Sequence, residues 1–148
     1  MYTGLIAQSK FHLNTNSLHD RLISRPGLSL KEILELDTDI DEYSGQLPAY
    51  FHHEHILPGQ PLGQHNTLLF SRNRYSWRVW NMKIMLLRPV VLRWSSKCKM
   101  GDFESGIDAS EDLLCRLRCL QYAQDTIASI SSHMSMCINS RLSTWYIL

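Results

Sequence analysis

The sequence has few of the features that mark secreted, membrane-spanning or disulfide-rich proteins. It contains only four cysteines, and no two of them form a C-x-x-C pair. That number is low for a disulfide framework, so a reduced intracellular compartment is the simpler interpretation. The longest apolar stretch, residues 84–94, is interrupted by two arginines and is far shorter than the roughly 20 residues that span a bilayer. The first ten residues contain no long apolar run, so no secretory signal is evident.

Strong net charge and known catalytic motifs are also missing. The net charge is +1, with 44% hydrophobic and 20% charged residues, which is ordinary for a soluble globular protein. The charge balance therefore does not single out nucleic acid as a partner. We find no nucleophile elbow, P-loop, G-x-G-x-x-G or H-E-x-x-H pattern. The length of 148 residues suffices for one domain with a real core.

The charges that are present lie in separate parts of the chain. Residues 32–54 contain seven acids and no Lys or Arg, whereas residues 72–99 contain eight bases and no acid. One interpretation is an acidic helix face that packs near a basic one inside a bundle. The other is a basic surface for nucleic acid, which is weakened because Trp, Met, Ile and Leu are interleaved with the bases. The crowded acids indicate a solvated face or, as a lesser alternative, an acid/base pair; they are Asp37, Asp39, Asp41 and Glu42.

Helix signals are frequent and strand signals are weak. Ser29 and Glu32 form a capping-box pattern that opens a helix, which we expect to end near Pro48. Pro89 predicts a kink or restart within a long helix. These signals predict an all-α bundle of about four to five helices, incomplete at the C-terminus. The predicted helices are residues 3–23, residues 30–47, residues 66–88 followed by 90–97, a helix capped by Asp108, and the start of another at 142–148, with loops at 52–65 and 99–107.

Apolar residues at helical spacing predict which faces are buried. In the second helix they are Ile33, Leu36, Ile40, Tyr43 and Leu47. In the long helix they are Phe70, Trp77, Trp80, Ile84 and Leu87, widened by Leu69, Val79, Met82, Met85 and Leu86. In the fourth they are Leu113, Leu117, Leu120, Ile127, Ile130 and Met134. The two tryptophans could instead line a ligand pocket, but a core position is the more common role.

Two groups of residues have metal-binding side chains. The segment His52-His53-Glu54-His55, with His65 further on, could bind zinc, although solvated loop histidines are the favoured interpretation. Cys115 and Cys119 stand at i and i+4 on one helix face, and buried thiols are favoured there over a metal pair. We therefore expect no metal or other cofactor in this chain.

Five segments occur in an order that points to one family. The most specific runs from Trp77 to Pro89 and contains Trp77-Arg78, Trp80, Asn81 and a closing Arg88-Pro89. The other four are residues 11–24, with Arg21-Leu22-Ile23 near the end; Leu47-Pro48 followed by an aromatic; Cys119, Ala123 and Thr126-Ile127; and Trp145-Tyr146. Together they resemble the central regulatory region, or middle homology region, of fungal binuclear zinc-cluster transcription factors of the galactose-regulator type.

The resemblance implies a role and a set of partners. Residues 1–148 would be a partial, all-helical and non-catalytic regulatory domain of a nuclear factor that controls transcription by RNA polymerase II. Its partners would be other segments of the parent factor or regulatory proteins. The six-cysteine cluster is missing from this sequence, so the zinc and the direct contact with DNA would belong to another part of the factor. The chain would then be a piece of a larger factor or a shortened gene product.

Two other functions compete with this one. The first is a free-standing helical interaction module, or a truncated competitor of a full-length regulator. The second is a small helical enzyme or cofactor binder that uses the histidine loop.

Overall fold

Four helices make up the described part of the chain, which is all-α as predicted. The structure is a computed structural model that describes residues 2–24, 27–48, 62–100 and 109–136. The helices are α1 (Tyr2–Ser24), α2 (Leu30–Gly45), α3 (Leu62–Met100) and α4 (Ala109–Met136). None of them is long and apolar enough to cross a membrane. The predicted helix at 142–148 and the predicted cap at Asp108 lie outside the described residues.

Helix α1 ends at Ser24, one residue after its predicted end at residue 23. Of its large apolar side chains, Ile6 and Leu13 are exposed, whereas Leu18 is buried. The buried face combines the apolar side chains of Ala7, Phe11 and Leu18 with the small or polar residues Gly4, Gln8 and Thr15. Gly4 lies against α3, where a Cβ atom would come within 2.9 Å of the Ser71 hydroxyl oxygen. A larger residue at this position would therefore push the two helices apart.

Helix α2 begins with the predicted capping box. The Ser29 side chain accepts a hydrogen bond from the Glu32 backbone N–H, and the Glu32 carboxylate accepts one from the Ser29 N–H at 2.9 Å. These bonds satisfy backbone donors that a helix N-terminus otherwise leaves without an intrahelical acceptor. Ile33, Leu36 and Ile40 are buried as expected, while Tyr43 and Leu47 pack half-buried at the edge of the core.

Helix α3 is the central element and is longer than predicted. It begins at Leu62, inside the segment that we expected to be a loop, and it continues through Pro89 to Met100. The predicted restart at Pro89 is therefore wrong. The buried face is rotated from the predicted stripe, because Trp77, Trp80 and Ile84 are only half-buried. The buried apolar residues are Tyr75, Val79, Met82, Leu86, Leu87 and Val90. Leu87 of the predicted stripe is therefore buried as expected, and so are Val79, Met82 and Leu86 of the residues that widen it.

Helix α4 turns toward the bundle the face opposite to the one that its apolar pattern predicts. The expected core residues Leu113, Leu117, Leu120, Ile127 and Met134 are 44–66% exposed, and Ile130 is half-buried. The face turned toward α3 and α2 carries small or polar side chains instead: Cys115, Cys119, Tyr122, Thr126, Ser129 and His133. Hydrogen-bonding partners on α2 and α3, rather than apolar periodicity, therefore decide which side of α4 faces the bundle.

Candidate functional site

Five charged or polar side chains meet where α2, α3 and α4 pack together. Lys83 Nζ lies 3.1 Å from Asp37 Oδ1 and 2.7 Å from Asp41 Oδ2. Arg118 Nη1 donates to Asp37 Oδ2 at 2.6 Å. The Tyr122 hydroxyl donates to Asp37 Oδ2 at 3.2 Å and accepts from Lys83 Nζ at 3.1 Å. We call these five residues the ion network.

Local geometry explains how the ion network assembles. Asp37 and Asp41 are one helical turn apart, so both carboxylates project from the same side of α2. Lys83 extends from the buried face of α3 between them, and its ammonium group also lies 4.7 Å from the centre of the Tyr122 ring. A cation over an aromatic face is attracted by the ring quadrupole. Two negative and two positive charges thus balance each other within the ion network.

Burial and pairing act in opposite directions on Lys83. Burial lowers the pKa of its ammonium group, but the hydrogen bonds with Asp41 and Tyr122 and the charge of Asp37 outweigh that effect. The net result is a pKa raised above the ordinary value for lysine, so Lys83 is a cation at neutral pH. Burial also raises the pKa of the Tyr122 hydroxyl, which keeps it protonated as a donor to Asp37.

A second polar group joins the first half of α3 to the end of α4. His133 is buried, with its Nδ1 atom 3.4 Å from Asn73 Nδ2. Its ring centre lies 5.4 Å from that of Phe70 and 5.5 Å from that of Trp77, the latter edge-to-face. The Trp77 Nε1–H donates to the Ser129 hydroxyl at 2.9 Å. Burial lowers the pKa of His133, so the neutral imidazole is favoured at this position.

Arg78 connects α3 to α1. Its guanidinium contacts His12 Nε2, and His12 is otherwise on the outer side of α1. Burial and the charge of Arg78 both lower the pKa of His12, which leaves the ring neutral and able to accept this hydrogen bond. Burial, together with the charge of Arg74, also lowers the pKa of Arg78. This contact joins residues 77–89 of α3 to helix α1.

The predicted site residues do not gather in one place. Trp77, Arg78 and Trp80 are half-buried on α3, while Asn81, Arg88 and Pro89 are exposed on it. The remaining ones lie elsewhere: Leu47 is half-buried after α2, Pro48 is exposed, Cys119 and Ala123 are half-buried on α4, and Trp145 and Tyr146 fall outside the described residues. The members of this set that the structure describes are therefore spread over α3, α4 and the end of α2.

Of the five residues that do meet, the sequence pointed only to Asp37 and Asp41, and the burial of Asp37 was misjudged. We expected Asp37 on a solvated face, but its side chain is 0% exposed because Lys83 and Arg118 neutralise it. The neighbouring Asp39 is half-buried, and Asp41 and Glu42 are exposed. The separation of acidic and basic segments was the available signal. The interpretation that it reflects packing within a bundle is confirmed for Asp37 and Asp41 with Lys83.

The thiols of Cys115 and Cys119 are packed rather than activated. Cys115 is fully buried and Cys119 half-buried, as expected, and burial raises the pKa of both thiols. A reactive cysteine requires the opposite shift, toward the thiolate. Across residues 2–24, 27–48, 62–100 and 109–136 no three metal-binding side chains come together. The segment His52–His55 lies outside those ranges, and the side chain of His65, on α3, is not among those that the structure describes.

No family model, curated protein or solved structure matches this chain.

Proposed function

We propose that this chain is a non-catalytic regulatory domain of a fungal transcription factor of the binuclear zinc-cluster type, acting through contacts with other protein segments. The proposal rests on the ordered resemblance of five sequence segments to the middle homology region. In such a factor the domain holds the activating segment in check, inside the nucleus. The parent factor binds DNA through a separate zinc cluster, and this chain needs no cofactor.

The position of the most specific family-like segment is the observation that carries the proposal. Residues 77–89 lie in α3 and contact each of the other three helices. Arg78 reaches His12 of α1, and Lys83 reaches Asp37 of α2 and Tyr122 of α4. The side chains of residues 77–89 that make these contacts pack the helices together. Such packing is expected of a domain that presents a fixed surface to its protein partners.

The direction of the pKa shifts also supports a non-catalytic role. A nucleophilic lysine needs a lowered pKa, and a nucleophilic cysteine needs a stable thiolate. Here the pKa of Lys83 is raised, and burial raises the pKa of Cys115 and Cys119 as well. These groups stabilise the packing of the helices, and their environment makes each a poor nucleophile.

A reporter experiment in a fungal host tests the proposal. The 148-residue chain is placed between an unrelated DNA-binding domain and an acidic activating segment, and reporter output is compared with that from a flexible Gly/Ser linker at equal protein level. We expect output several-fold below the linker control. Asp37→Ala should relieve the repression by disrupting the ion network, while Leu92→Ala, an exposed change on α3, should not. Output equal to that of the linker control would refute the proposed regulation.

The exposed apolar side of α4 favours a second candidate, the free-standing interaction module or truncated competitor. The same host distinguishes the two. When expressed as a separate chain, a competitor lowers the output of the full-length regulator that it resembles, whereas a domain that acts only within its own polypeptide does not.

A further inference from the structure

The outward side of α4 has a regular seven-residue pattern. Starting at Leu113, exposed residues follow at alternating steps of four and three, over three heptads. They are Leu113, Leu117, Leu120, Gln124, Ile127, Ser131 and Met134, which we call the outer stripe. In heptad notation, Leu113, Leu120, Ile127 and Met134 occupy d positions, and Leu117, Gln124 and Ser131 occupy a positions. Three heptads with mainly apolar a and d residues are the pattern of a coiled-coil seam.

The bundle uses the other side of the same helix. The side chains that face α2 and α3 occupy c and f positions, nearly opposite the a and d positions. Among them Cys115 is fully buried, Tyr122 joins the ion network, and His133 packs against Phe70 and Trp77. The outer stripe is therefore not required to hold the four helices together. A helix partner could pack against it without disturbing the bundle.

From this pattern we propose that the outer stripe is the interface through which two copies of this chain pair, with their α4 helices parallel. Gln124 is the reason for a second copy in this orientation. In a parallel pair each a residue faces its own equivalent, so the two Gln124 amides can hydrogen-bond to each other. Against an apolar partner helix, or in an antiparallel pair, Gln124 would face an apolar side chain and lose hydrogen bonds on burial.

The charges beside the outer stripe allow two copies to approach. The flanking e and g positions hold one charged residue, Arg116, and the others are uncharged: Leu114, Gln121, Ala123, Ala128, Ile130 and Ser135. Arg116 already pairs with Asp112 at 2.8 Å and lies over the Trp94 ring. A second copy therefore meets no row of like charges, which would otherwise oppose a homodimer.

The size of the outer stripe sets the expected strength of pairing. Its 22 residues extend ~33 Å along the helix, and a face ~10 Å wide gives roughly 330 Å² on each copy. That is the size of an exposed patch that is commonly functional. It is below the roughly 800 Å² per partner of a standard stable interface, so the pairing should be weak and concentration-dependent.

Sedimentation equilibrium of the full 148-residue chain, from 1 to about 500 µM, tests the pairing. We expect a monomer–dimer equilibrium in the micromolar range, since small interfaces are typical of transient complexes. Leu120→Lys should raise the dimer Kd at least tenfold without changing the helix content or the melting curve, because Leu120 is already exposed. Leu13→Lys on α1, which is 72% exposed and outside the outer stripe, is the matched control and should leave Kd unchanged.

The orientation has a test that does not use cysteines. Gln124→Glu and Gln124→Lys should each weaken pairing, because a parallel dimer brings two like charges together. An equimolar mixture of the two variants should pair at least as well as the unchanged chain. Failure of the mixture to recover pairing would exclude the parallel arrangement. A chain that stays monomeric throughout the concentration range, whether or not its own residues 137–148 cover the outer stripe, or that forms only open-ended aggregates, would overturn the proposal.

Discussion

The ammonium nitrogen of Lys83 lies 3.1 Å from Oδ1 of Asp37, and the two side chains are 1% and 0% exposed. They belong to α3 and α2, so this contact joins two helices through a buried ion pair. Removing charges from water is costly, and the arrangement is tolerable only because Asp41, Arg118 and Tyr122 supply further partners. Removing one member of such a buried ion pair leaves the other charge buried without its partner, which destabilises the folded protein.

Asp37→Ala should therefore destabilise the protein by about 3–5 kcal/mol, since it leaves Lys83 buried beside a lost counter-charge. Urea denaturation followed by circular dichroism measures the change. The double variant Asp37→Asn with Lys83→Met is neutral at both positions and should cost less than the two single changes together. Asp39→Asn, on the same helix but outside the ion network, is the control and should shift stability by less than about 0.5 kcal/mol.

Alkaline pH should lower the free energy of unfolding because Lys83 loses its positive charge. An unfolded lysine loses its proton near pH 10.4, whereas the pKa of Lys83 is raised in the folded state. Its contribution to the free energy of unfolding is therefore complete below about pH 10.4 and is lost as pH rises through the folded-state pKa. Urea midpoints between pH 8 and 11.5 should fall more steeply for the unchanged chain than for the double variant. Parallel curves would show that Lys83 is not the group responsible.

Acid should lower the free energy of unfolding because His133 takes up a proton more readily in the unfolded state. Burial lowers the pKa of its imidazole, so the folded state favours the neutral ring, while the unfolded ring takes up a proton near pH 6.5. The corresponding stability is present above about pH 6.5 and decreases as pH falls through the folded-state pKa. His133→Phe keeps an aromatic ring beside Phe70 and Trp77 and should make the stability profile less steep between pH 7.5 and 5, leaving the part due to His12, whose pKa is also lowered. An unchanged slope would contradict this assignment.

Two leucines on α3 test the observed orientation of that helix. Leu87 is fully buried and Leu92 is 53% exposed. Leu87→Ala should lower the free energy of unfolding by about 2–5 kcal/mol because it leaves a cavity. Leu92→Ala should change it by less than about 0.5 kcal/mol, as expected for a surface position. Equal effects in thermal and urea unfolding would mean that α3 packs with a different face.

Local signals predicted the helices and several of their ends. The Ser29–Glu32 capping box works within one turn, so neighbouring residues are enough to identify it. The predicted end of α1 at residue 23 likewise lies close to Pro26 in the sequence, and a proline disfavours helix in the residue before it. The start of α3 was predicted too late, because glycine and proline signals around residues 58–63 suggested a longer loop. Pro89 also failed to break α3, which shows that packing on both sides of a proline can outweigh its local preference.

Which face of a helix is buried depends on partners far away in the sequence. Asp37 is buried because Lys83 and Arg118 reach it from positions 46 and 81 residues further along. On α4 the apolar spacing was recognised correctly, but spacing alone does not say whether a stripe faces the same bundle or another chain. The polar face of α4 turns inward because Tyr122, Ser129 and His133 each find a partner there.

The length of α3 affects how the mass of this protein in solution should be measured. Its 39 residues extend ~58 Å at 1.5 Å per residue. A compact sphere of this chain length has a radius of gyration of ~15 Å, which corresponds to a diameter of only ~38 Å. A bundle built on α3 is therefore longer than that sphere, and its elution volume on a gel-filtration column would correspond to a somewhat heavier sphere. Column elution alone would overestimate the mass of a single chain, so shape-independent methods are the better way to count its copies.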